Sequence, residues 1–118
     1  MKSRAKALAA AKIATDKKAV DVLVLDLKGL SVIADFFIIC SGESTTQVRA
    51  IAEAIEENFS KKSIRPVGIE GLNYSHWVLM DYGDIIIHVF EEETRAYYQL
   101  EKLWLDAPRI HVEEKGHN

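Results

Sequence analysis

A chain of 118 residues with 48% hydrophobic residues and a formal net charge of -3 holds enough apolar material for one core and, by its length, too little for two. No apolar run approaches the roughly 20 residues of a membrane span, and the opening MKSRAKALAAAKIATDKK scatters charges where an export signal needs an unbroken apolar stretch; a soluble, cytoplasmic, single-domain protein is expected. Residues 1–18 hold six Lys/Arg against one Asp, net +5, so the remaining hundred residues carry -8, and an acidic body argues against a phosphate-binding surface anywhere but the N-terminal segment.

In chain order, alanines and long polar side chains predict a helix over 2–18. VLVLDL (22–27) and FFIIC (36–40) are short, apolar and rich in branched or aromatic residues, which predicts two buried strands separated by the turn-like KGLS. Cys40, the lone cysteine, falls inside the second and reads as a packed, unreactive thiol. SGESTTQVRAIAEAIEENF follows, with Ser44 three residues before Gln47 in the capping-box spacing. Val48, Ile51, Ala52, Ile55 and Phe59 then recur at helical spacing as a core stripe, with Gln47, Arg49, Glu53, Glu56 and Glu57 on the water side. Residues 64–70 predict another strand, with Pro66 implying either an edge position or an irregular start. HWVLM and DIIIHVF flank Asp81, Tyr82 and Gly83 as a hairpin. EEETRAYYQLEKLW predicts a last helix with acids at its N-terminal end and Tyr97, Leu100 and Trp104 on one face, closed by Pro108. The sum is an α/β domain with a mixed sheet of about five strands flanked by helices.

Catalytic readings find little footing. SGES could offer a phosphate the free amides of a helix start, but Glu43 adds negative charge there and no Walker or dinucleotide fingerprint is completed. The same strand and turn resemble the nucleotidyltransferase fold, whose enzymes hold magnesium with carboxylates at alternating strand positions. Counting from Asp84, those positions hold Ile86 and His88. His76, His88, His111 and His117 have no metal-ligand spacing, and Ser41 and Ser44 lack a nucleophile elbow. No enzyme activity, cofactor or metal is expected.

Residues 66–94 hold six Asp/Glu, no Lys/Arg, and Tyr74, Trp77, Tyr82 and Phe90. Aromatics supply binding hot spots and carboxylates meet Arg and Lys, so this stretch fits a basic protein partner. Alternation along HWVLM sets Trp77 and Leu79 against His76, Val78 and Met80, without deciding which face is buried.

Four blocks, KAVDVLVLDL, ADFFIICSGESTTQVRAIAEAI, EGLNYSHWVLMDYGDIIIHVF and RAYYQLEKLWLDA, resemble the ribosomal silencing factor family, also called Iojap-related proteins, over residues 5–107. The resemblance implies a nucleotidyltransferase-like fold without the catalytic residues, and a non-enzymatic repressor of translation under nutrient limitation. It implies docking on the large ribosomal subunit through its protein uL-fourteen, so that the small subunit cannot join, and a homodimer when free. Matching residues are Trp77, Asp81, Tyr82, Gly83, His88, Arg95 and Tyr98. Of these, Trp77, Asp81, Tyr82 and His88 are expected to face the partner, with Glu91 and Arg95 at the rim and Gly83 kept for turn geometry. The tail 108–118, PRIHVEEKGHN, departs from the family core and receives no role. Two rivals stand beside this reading: a nucleotide binder retaining the nucleotidyltransferase site, and an RNA-binding ribosome accessory factor using the basic N-terminal helix.

Overall fold

The computed structural model describes residues 1–112. Its elements run α1 (Ser3–Asp16), β1 (Val20–Asp26), β2 (Phe36–Gly42), α2 (Thr45–Ser60), β3 (Gly68–Glu70), β4 (Trp77–Asp81), β5 (Ile85–Glu91), α3 (Glu92–Tyr98), a 3-10 helix (Leu100–Trp104) and β6 (Arg109–Ile110). One six-stranded mixed sheet is ordered β3-β4-β5-β2-β1-β6. Among the described residues only β2 and β5 are parallel neighbours, and the other pairings are antiparallel. These two central strands are buried on both faces almost throughout, which explains their continuous apolar runs.

The first face is covered by α1 and α2. Ala7, Ala10, Ala11 and Ala14 recur at helical spacing, are fully buried, and their small size lets α1 lie close to the sheet. The predicted stripe of α2 is buried as expected, and Ser44 Oγ accepts the Gln47 amide at 3.1 Å. Gln47 Oε1 returns to the amide of Glu43 and its Nε2 donates to the carbonyl of Lys18 at 2.9 Å, tying the start of α2 to the end of α1. Gln47 and Arg49 therefore do not simply face water: Arg49 donates to the carbonyls of Leu72 and Asn73 and fixes the loop before β4.

Three local expectations change. The strand over 64–70 shrinks to three residues, because Pro66 cannot donate and pairing starts only beyond it. The last helix is broken: Gln99 adopts a left-handed φ of 50° and the chain continues as a 3-10 turn. Leu100 and Trp104 pack against the second face, but Tyr97 is 80% exposed. The tail is not wholly outside the core, since Arg109 and Ile110 pair with Leu25 and Val24 as a sixth strand. Residues 113–118, His117 among them, lie outside the described residues. No helix among the described residues is long and apolar enough to cross a membrane.

Candidate protein-docking face

The second sheet face is only partly roofed. Its rows follow from register: Trp77 lies opposite Phe90, Leu79 opposite His88 and Asp81 opposite Ile86, while Phe37 lies beside Ile86 and Ile39 beside His88. Alternation along β4 is resolved in this direction, with Val78 and Met80 fully buried on the helical side and Trp77 and Leu79 half-buried on the other. The indole N–H of Trp77 donates to His88 Nδ1 at 3.1 Å. That bond places the ring proton of His88 on Nε2, which is buried without a partner among the described residues. Burial pushes the His88 pKa down from 6.5 to about 4, so the imidazole is neutral near pH 7 and serves as an acceptor that aligns the indole.

Aromatic rings extend from this pair. Trp77 lies 4.7 Å from Phe90 and 5.0 Å from Tyr98, centroid to centroid. Phe37 lies 4.8 Å from His88 and 5.9 Å from Trp104. Above them α3, the 3-10 helix and the residue that follows it present Tyr97, Tyr98, Leu103 and Leu105 to solvent, each more than half exposed.

The six residues chosen from sequence do not form one surface. Trp77 is on the face and half-exposed. His88, at 4% exposure, is beneath it, so it acts on a partner only through Trp77. Tyr82 is 6% exposed and points to the opposite side, its ring 5.0 Å from Phe59 on α2. It shares the parity of Val78 and Met80, which carries it into the helical core, and burial with Glu56 nearby pushes its phenol up to about 12. The partner-facing role expected of Tyr82 gives way to a packing role. Asp81 is half-buried at the hairpin end, with Oδ1 accepting the Gly83 amide at 2.8 Å. Glu91 is engaged by His76 at 2.7 Å.

Arg95 is likewise not at a rim: its side chain is 12% exposed. Nη1 donates to the carbonyl of Asp21 and to Ser41 Oγ, each at 2.9 Å, and Nε donates to Glu101 at 3.2 Å. The sequence placed Tyr97 on one helix face with Leu100 and Trp104 and matched Tyr98 to the family without setting either on the docking face, yet both point outward. Cys40 is buried and its thiol is pushed up to about 12 by that burial. Among the described residues no three His, Cys, Asp or Glu side chains gather as metal ligands.

Fold and face together define a small mixed-sheet α/β domain with a half-open aromatic sheet surface. A family model described as "Ribosomal silencing factor during starvation" matches residues 1–118. A ribosomal silencing factor from Halalkalibacterium halodurans is 49% identical over 98 residues, covering 83% of this chain and 84% of the relative. The one from Bacillus subtilis is 48% identical over 99 residues, covering 84% of each. The crystal structure of a Chromobacterium violaceum protein superposes with a TM-score of 0.86 at 28% identity, covering all of this chain and 98% of the other. The chain belongs to the ribosomal silencing factor family.

Proposed function

We propose that this chain represses translation by occupancy, docking on the large ribosomal subunit through its protein uL-fourteen and leaving no room for the small subunit. The observation that carries the reading is Trp77: half-exposed, oriented by His88 and braced by Phe90 and Tyr98, it has the rigidity and partial burial of an interface anchor. Asp81 and the surrounding acids suit a basic partner surface. The role in this reading is non-catalytic and cytoplasmic, and the starvation named for the family is the condition under which it acts. The strand, turn and capped helix from β2 to α2 support a nucleotidyltransferase-like ancestry for the fold. Free chains pair as homodimers through apolar surface that includes Tyr97, Tyr98 and Leu103, exposed in the single chain.

The test is cosedimentation of purified chain with separated large subunits. Trp77→Ala and Asp81→Lys each abolish pelleting while circular dichroism stays native; parent-like pelleting of both variants overturns the assigned face.

A further inference from the structure

Adjacent parallel strands β2 and β5 send their helices to opposite sides of the sheet, α2 to the first face and the α3 segment to the second. In open α/β sheets such a switch point leaves a crevice outside the carboxyl ends of the strands, where ligands bind. A cleft of about 320 Å³ opens there, lined by Ser41, Glu92, Arg95, Gln99, Glu101 and Lys102 among others. A neighbouring hollow of about 360 Å³ shares the Arg95–Glu101 pair and Asp21 with it.

The polar groups of the cleft are unevenly used. Arg95 spends Nε and Nη1 on Glu101, Asp21 and Ser41, while Nη2 makes no hydrogen bond among the described residues. Glu101 gives Oε2 to Arg95, and its Oε1 is buried without a partner, a condition that native proteins seldom leave unexplained. Two of the walls, Asp21 and Gln99, hold left-handed φ values of 51° and 50°, at the register shift of β1 and at the C-cap of α3, which turns the chain around the cleft. Acids and bases alternate: Glu92 and Glu101 stand beside Arg95 and Lys102. A polyanion would meet the carboxylates and a bare cation the guanidinium, so a ligand carrying both charges close together fits best.

We propose that this cleft binds a small zwitterion of the α-amino-acid class. Its ammonium group donates to Glu101 Oε1, with a small rotation of that carboxylate, and its carboxylate accepts from Arg95 Nη2 and Lys102 Nζ. Ala96 and the methylene stem of Lys102 leave room for a short apolar side chain. The site is independent of the ribosome reading and is tested on the free chain.

Nitrogen-15-labelled full chain is titrated with L-alanine and its amide shifts are followed. The amides of Ser41, Ala96 and Gln99 move along one saturable isotherm with half-saturation on the order of 1 mM, a weak but specific affinity for so small a ligand. Acetate and methylammonium, each supplying one of the two charges, bind at least tenfold more weakly. Glu101→Gln raises half-saturation tenfold or more. Lys102→Gln, a change at an exposed position that spares the fold, raises it severalfold. The assignment is overturned if alanine gives no saturable shift, if acetate alone saturates the same amides as strongly, or if Lys102→Gln titrates like the parent.

Discussion

His88 and Trp77 show how two side chains can share one task. The imidazole could not be a charged group where it sits, since burial holds its pKa at about 4, and its value lies in a fixed lone pair for the indole. Stability follows with a definite sign. An unfolded histidine near pKa 6.5 takes a proton that the folded one refuses, so stability present above about pH 6.5 is lost as pH falls toward 4, by on the order of 3 kcal/mol in all. His88→Gln keeps an acceptor but does not titrate; denaturation midpoints measured between pH 6.5 and 4.5 should fall less steeply for it than for the parent. Gly71 is a second residue-scale constraint. Its φ is 86°, and an added Cβ would lie 2.1 Å from the Trp77 carbonyl, so Gly71→Ala should cost about 3 kcal/mol or more in chemical denaturation. Gly83 meets only the first half of that restriction, a φ of 87° with open space around it.

Among the elements, the α3 segment is the least embedded part of the second face. Neither α3 nor the 3-10 helix has a fully buried residue, and the break between them at Gln99 is held by the guanidinium fork of Arg95. The fork reaches Ser41 and Asp21, residues far away in sequence. Arg95→Met removes these bonds and leaves Glu101 unpaired, which should cost about 2 kcal/mol and accelerate amide exchange over residues 96–104. Arg95→Lys should restore little, because an ammonium cannot reproduce the planar fork. Tyr98 rests on Trp77 at 5.0 Å, so the same variants loosen the roof of the docking face without touching it directly.

For the whole molecule, the arrangement of charge separates the protein-docking reading from an RNA-binding one. Lys2 at the cap of α1, and Arg4 and Lys12 on the helix, are exposed, and α1 packs on the first face; the sheet itself stands between them and any partner seated over Trp77. Replacing all three with glutamine should leave cosedimentation with large subunits unchanged, and binding should weaken only gently between low and physiological salt. A contact made through phosphates would instead lose orders of magnitude over that range.

Sequence by itself determined what depends on neighbours along the chain. The cap at Ser44 and Gln47, the α2 stripe and the hairpin around Gly83 all follow from local spacing and backbone preference, and the two central strands from their apolar runs. That Tyr82 shares a face with Val78 and Met80 was also written there, had the alternation been carried one step past Asp81, though not that this face is the buried one. Tertiary structure alone decided the rest. The α3 segment is tied to the sheet by Arg95, which bonds to groups 54 and 74 residues away, and β6 exists because β1 offers Arg109 and Ile110 a free edge. Which side of Trp77 meets water was settled by which face the alanine-lined α1 and α2 cover, and no periodicity within a five-residue strand contains that information.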